Sequence, residues 1–134
     1  MIAKWLHLLA FGAAFGGGTA ALILGYYATR HGEAATVLRP AVAPVTFAVR
    51  TGIVLLWLTG LWMWIAGYGA AIDLGWAWWL KLAAVLALTH LAFWSYRRAK
   101  TGRALSPDRA RLVGFASLTL AAFAVLMALV VFGG

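Results

Sequence analysis

Four long apolar segments, separated by short polar stretches, dominate the pattern of residues along the chain. They cover approximately residues 5–27, 45–68, 76–96 and 112–132. Each is close to the ~20 residues that an α-helix needs to cross the hydrocarbon core of a bilayer. The pattern predicts an all-α fold, in which four transmembrane helices form one bundle and residues 1–134 form a single membrane domain.

Composition agrees with this pattern. Only 11 basic and 3 acidic residues occur among 134, and the mean hydropathy is +0.93. The net charge of +8 is typical of nucleic-acid binding in a soluble protein, but in a membrane chain we interpret it as an anchoring rim and expect no nucleic acid partner. The chain has no Cys, which excludes disulfides, thiolate metal sites and a Cys nucleophile.

The basic residues predict the orientation of the chain. Four crossings place both termini and the loop between helices 2 and 3 on one side, which holds two of the eleven Lys and Arg residues; the other side holds nine. By the positive-inside rule, that second side is cytoplasmic. We therefore predict that both termini lie outside, on the periplasmic side of a bacterial inner membrane. Six Trp residues near the predicted outer interface support this: Trp5, Trp62, Trp64, Trp76, Trp78 and Trp79.

Small residues crowd helix 1. Gly12 and Gly16 are four positions apart, and such a pair allows a neighbouring backbone to approach closely. We expect this face to form a close helix pair; the alternative is a flat ligand that lies against bare backbone. The sequence Ser106-Pro107-Asp108 predicts the start of helix 4, because Ser is a good cap and Pro fits the first helical position.

Ionisable residues within spanning segments are candidates for function because their burial in a bilayer is costly. There are four: His7, Arg50, Lys81 and His90. At about 1.5 Å per residue, His7 and Lys81 lie near the outer boundary, and Arg50 and His90 share an inner layer. Each has a simpler interpretation: His7, Lys81 and Arg50 can extend towards headgroups, and His90 can hydrogen-bond a neighbouring helix.

The depths constrain a haem site. His7 and His90 differ by about 13–15 Å, which disfavours a haem held by both. Two arrangements stay open. His7 can pair with Met63 or Met127 in the outer layer, or His90 can be the one protein ligand, with Arg50 on a propionate.

Three short segments resemble the HemJ-type and CopD-like four-helix membrane proteins. They are Trp5-Leu6-His7-Leu8-Leu9, Leu58-Thr59-Gly60-Leu61-Trp62, and Trp79-Leu80-Lys81-Leu82 followed by His90 and a basic loop. HemJ-type proteins are protoporphyrinogen oxidases associated with a b-type haem. The resemblance implies protoporphyrinogen oxidation or related electron transfer, with His7 and His90 as candidate haem ligands and Lys81 as a contact for substrate or propionate.

Two other classes of function stay open. The chain can be a non-catalytic accessory subunit of a respiratory or photosynthetic complex, or a homo-oligomer, in which case its helices pack against other membrane subunits as well as lipid. A transporter is disfavoured, because the predicted spans contain no Asp or Glu and show no matching pair of broken helices.

Overall fold

The computed structural model describes residues 2–132, which form four α-helices in one bundle. The helices are α1 (Ile2–Arg30), α2 (Ala35–Tyr68), α3 (Trp76–Lys100) and α4 (Pro107–Phe132). Each is long and apolar enough to cross a membrane. The predicted all-α fold, with four helices long and apolar enough to span a membrane, is therefore confirmed.

The helix bounds differ from the prediction mainly at the basic end. Helix α2 begins at Ala35 rather than at Val45 and includes Pro40 and Pro44. A proline inside a helix removes a backbone donor and crowds the preceding turn, so the sequence alone favours a later start for α2 than the structure has. Helix α4 begins at Pro107, as the Ser106-Pro107-Asp108 sequence predicts.

The helices form a ring in which neighbours run antiparallel. Helix α1 packs closely along α2, α3 packs along α4, and α1 makes a shorter contact with α4. Helices α2 and α3 approach one another at only a few backbone positions. The ring is therefore tight on three sides and wide on the fourth.

The α1–α2 contact is close because a glycine faces it. A Cβ atom at Gly52 would lie 2.8 Å from the carbonyl oxygen of Ala10 and 3.0 Å from the amide nitrogen of Ala14. Ala10 and the neighbouring Ile53 are each only 2% exposed. Small residues let the two backbones meet, which is how helices commonly associate in a bilayer.

Gly12 and Gly16 do not form a close helix pair within the bundle. Both are exposed, and a Cβ at either would meet nothing within 4 Å. Gly17 faces α2 instead, where its Cβ would lie 2.8 Å from a methyl group of Val49. The small-residue pattern identified the helix that packs closely but not the face that does so.

Large apolar residues lie on the outside of the bundle. Leu9, Phe47, Leu58 and Phe115 are all more than 60% exposed, whereas the buried hydrophobic residues other than Ile53 and Met127 are alanines. Exposing so much apolar surface on four helices to water would be energetically unfavourable, whereas lipid acyl chains are as apolar as these side chains and solvate them without that cost. A bilayer is thus the environment that this arrangement fits.

Candidate functional site: a cavity between the four helices

A cavity of about 1100 Å³ occupies the centre of the bundle. It exists because α2 and α3 stay apart while the other neighbours close the ring. Its walls are mostly apolar, and they include three of the four ionisable candidates, His7, Arg50 and Lys81. Its volume is slightly above the range of about 300–1,000 Å³ that is usual for sites that bind small molecules or cofactors.

Side chains bridge the wide side of the ring. On α2, three bulky residues are spaced seven positions apart, which places them on one face two turns from each other. Each contacts a partner on α3; the three α2–α3 bridges are Arg50 with Tyr96, Trp57 with Thr89, and Trp64 with Trp78.

The bridges differ in chemistry along the membrane normal. The Arg50 guanidinium lies 4.0 Å from the centre of the Tyr96 ring, in cation–π geometry. In the middle, Trp57 Nε1 donates a hydrogen bond of 2.9 Å to Thr89 Oγ1. From the basic end of the bundle to the opposite end, the bridges are therefore charged, then polar, then aromatic.

His7 is held in the cavity by α2. Its Nδ1 lies 2.8 Å from Thr59 Oγ1, and Thr59 is the buried polar residue of the described chain, residues 2–132. The Thr59 hydroxyl also lies 2.6 Å from the carbonyl oxygen of Leu55. The hydroxyl has one proton, and the shorter contact assigns it to that carbonyl.

The tautomer of His7 follows from this assignment. With the Thr59 hydroxyl donating to Leu55, its oxygen is free to accept from Nδ1–H of His7, and in that tautomer the lone pair of the ring lies on Nε2. A hydrogen bond at one ring nitrogen that directs the lone pair of the other is the arrangement typical of metal-binding histidines. The Cε1 atom of the ring lies 3.5 Å from the position that a Cβ on Gly60 would occupy, an ordinary contact distance, so Gly60 borders this edge of the ring.

Lys81 completes this corner of the cavity. It lies close enough to His7 to interact with it electrostatically, which confirms the prediction that the two residues share one layer. The corner thus combines an imidazole from α1, a hydroxyl from α2 and an ammonium from α3.

His90 lies elsewhere. Its side chain is exposed, and it lines a second groove of about 510 Å³ on the outer side of α3. Arg50 lines the central cavity and contacts Tyr96, whereas His90 is next to Thr89, which pairs with Trp57 two turns deeper. The prediction that Arg50 and His90 share one layer is therefore wrong. The two histidines therefore face different spaces, in agreement with the depth argument against a haem held by both.

The methionines considered as partners of His7 do not join it. Met63 and Met127 both lie outside the lining of the central cavity, and Met127 is 7% exposed among packed side chains. Within residues 2–132, no group of three or more His, Asp and Glu side chains could hold a metal ion. A haem, which brings four of its own ligands, needs only one such side chain.

Three contributors to the site were missed by the sequence analysis. Thr59 was quoted for the resemblance but assigned no role, and neither Trp57 nor Tyr96 was placed in the interior. The signal was available in the spacing, because Trp57 lies two turns from Arg50 on the same face of α2. Comparisons with known proteins add no further assignment: no protein-family model, curated protein or solved structure matches the chain.

Proposed function

We propose that this chain is a HemJ-like membrane protein that binds a b-type haem or a closely related tetrapyrrole in the central cavity. The observation that carries the proposal is the corner formed by His7, Thr59 and Lys81 in a large apolar cavity. Such a ligand is flat and apolar, with carboxylates at its edge. The apolar walls of the cavity suit the flat ring of the ligand, the directed imidazole suits its iron, and the cations suit its carboxylates.

The roles of the residues follow from their chemistry. His7 would ligate iron through Nε2, and Thr59 would fix the orientation of the ring. Lys81, level with His7, and Arg50, nearer the basic end, would pair with the carboxylates. A bound haem would supply a one-electron carrier, which suits protoporphyrinogen oxidation or related electron transfer.

His90 takes no part in this site, because it faces the groove outside α3. This gives the experiment a matched control on the same residue type. Protein solubilised in mild detergent is expected to show a Soret absorption band, natively or after titration with haemin. His7→Ala should abolish the band, and His90→Ala should leave it unchanged.

Thr59→Val tests the tautomer argument with little change of volume. Loss of a side chain that orients a metal ligand typically lowers metal affinity by about 10–100-fold. We expect that loss in the haemin titration. A colourless protein with no affinity for haemin, or equal loss from both histidine variants, would refute haem binding at His7.

The catalytic part of the proposal has its own assay. Membranes containing the protein should convert protoporphyrinogen IX to fluorescent protoporphyrin, and Lys81→Met should reduce this rate while the Soret band persists. Haem binding without any such conversion would limit the proposal to electron transfer.

The proposal includes an orientation and a location. The connections of residues 31–34 and 101–106, which the basic ends of the helices flank, lie at one end of the bundle, where Arg111 at the start of α4 contacts Tyr26 near the end of α1. The positive-inside rule supports a cytoplasmic position for this end, with both termini in the periplasm of a bacterial cell. Cysteines introduced at Thr101 and Ala71, in this chain without Cys, should react with a membrane-impermeant reagent only at Ala71 in intact spheroplasts.

One observation favours the second candidate function, an accessory subunit. Gly12, Ala13 and Gly16 leave an exposed strip of small residues on α1, and such strips commonly contact another helix in a bilayer. A partner that co-purifies in fixed stoichiometry, and is lost with Gly16→Leu, would support this function. Retention of the partner in that variant would count against the α1 strip.

A further inference from the structure

The groove on the outer side of α3 combines charge with aromatic surface. It has a volume of about 510 Å³ and lies beside the loop of residues 101–106, separate from the central cavity. Its principal side chains are three arginines, two aromatic residues and a histidine: Arg97, Arg98, Arg103, Phe93, Trp94 and His90. The acidic residues of the chain, Glu33, Asp73 and Asp108, all lie outside this lining.

The loop is folded back so that its arginine joins those of the helix. Gly102 has a φ of +72°, a left-handed conformation that glycine adopts without strain. The turn allows the amide nitrogen of Arg103 to donate to the carbonyl oxygen of Arg98 at 2.9 Å. In return, Nε of Arg98 donates to the carbonyl oxygen of Arg103 at 3.1 Å. The cationic end of the groove is therefore held by backbone hydrogen bonds.

The lining changes with depth along α3. The arginines lie at the end of the helix, Trp94 and Phe93 lie about one turn deeper, and His90 about one turn deeper again. The Arg98 guanidinium lies 5.2 Å from the centre of the Trp94 ring, which joins the cationic and aromatic parts. The order from positive charge to aromatic rings, continuing towards the membrane centre, matches the order of phosphate, glycerol and acyl chain in a phospholipid.

We infer that this groove binds the headgroup of an anionic phospholipid, with its phosphate among Arg97, Arg98 and Arg103. A lipid is favoured over a free phosphate because aromatic side chains that extend towards the hydrocarbon region form the deeper wall. Basic pockets at the cytoplasmic ends of transmembrane helices recognise lipid headgroups in this way. This inference does not depend on haem binding, since no residue of the His7 corner lines the groove.

The test is a lipid titration of the detergent-solubilised full chain, followed by native mass spectrometry. Phosphatidylglycerol and phosphatidylcholine with the same acyl chains are compared. The variant Arg97→Gln/Arg103→Gln removes two charges but keeps Arg98, whose Nε bonds the backbone carbonyl at position 103. At about fivefold for each basic residue near a charged lipid, we expect about 25-fold weaker phosphatidylglycerol binding and unchanged phosphatidylcholine binding.

The matched control is Lys100→Gln/Arg109→Gln, which removes the same charge at the same end of the bundle from residues outside the groove. It should alter the phosphatidylglycerol affinity by less than about fivefold. An equal loss in both double variants would overturn the inference, because it would indicate diffuse attraction to the whole basic rim. Equal affinity for the two lipids would also overturn it, as would inorganic phosphate that displaces phosphatidylglycerol at equal concentration.

Discussion

Gly52→Ala is expected to destabilise the bundle through a single added methyl group. The new Cβ would lie 2.8 Å from the carbonyl oxygen of Ala10, where ordinary contacts begin at about 3.4 Å. The neighbouring atom belongs to the backbone and cannot rotate away. To restore ordinary contact, α1 and α2 must therefore separate by about 0.6 Å at this level.

The cost follows from the atoms that lose contact. A gap of about 0.5–1 Å forfeits roughly a quarter to a half of the dispersion energy of the atoms that face it. A buried side chain makes about 40–60 contacts of roughly 0.1–0.2 kcal/mol each, and Ile53, which is 2% exposed, lies directly beside the new methyl group. These figures give about 1–6 kcal/mol if every contact faces the gap. Since only part of the contacts do, the expected loss is about 1–3 kcal/mol, the range usual for overpacked cores.

The assay is reversible unfolding in mixed micelles by increasing sodium dodecyl sulfate, followed by circular dichroism. Gly16→Ala is the control, since its Cβ would meet nothing within 4 Å and alanine favours a helix by up to about 1 kcal/mol relative to glycine. The two variants should shift the free energy of unfolding in opposite directions. A Gly52→Ala protein as stable as the Gly16→Ala protein would show that the backbones do not meet at Gly52.

Three further predictions use the same unfolding assay. Trp57→Phe should lower the free energy of unfolding by about 0.5–1.5 kcal/mol by removing the hydrogen bond to Thr89, and Thr89→Val should then add little; fully additive losses would refute a direct bond. Met127→Ala should cost about 2–5 kcal/mol because the side chain is packed, and a loss below 1 kcal/mol would contradict its burial. Tyr96→Leu removes the ring beneath Arg50 and should cost about 0.5–2 kcal/mol; an equal cost in an Arg50→Met background would contradict the contact.

The sequence predicted the helices and their depths better than their faces. Hydropathy reports which segments enter a bilayer, and residue counting then placed His7 level with Lys81, as found. The rotation of each helix was not predictable in the same way, because helices in lipid are apolar on all sides and lack the polar face that orients a helix in a soluble protein. For this reason Gly12 and Gly16 were selected as the face of a close helix pair, whereas Gly17 and Gly52 form the contact within the bundle.

The same limitation explains His90 and the cavity. Residue counting placed His90 level with Arg50, but the α2–α3 bridges place it level with Trp57. The direction of its side chain depends on how α3 rotates against α4. The distance between α2 and α3 depends on large side chains that contact each other across the gap. To predict that distance, one must know which residue of α3 each α2 side chain contacts. Only the tertiary structure pairs Arg50 with Tyr96 and Trp57 with Thr89.

The three α2–α3 bridges affect how a ligand can enter the central cavity. Since side chains alone span this side, rotation about their χ angles can widen it while every helix keeps its backbone hydrogen bonds. Such rotations are among the faster motions of a protein. An apolar, sparingly soluble ligand can then enter laterally from the surrounding acyl chains and reach the His7 imidazole without passing through water.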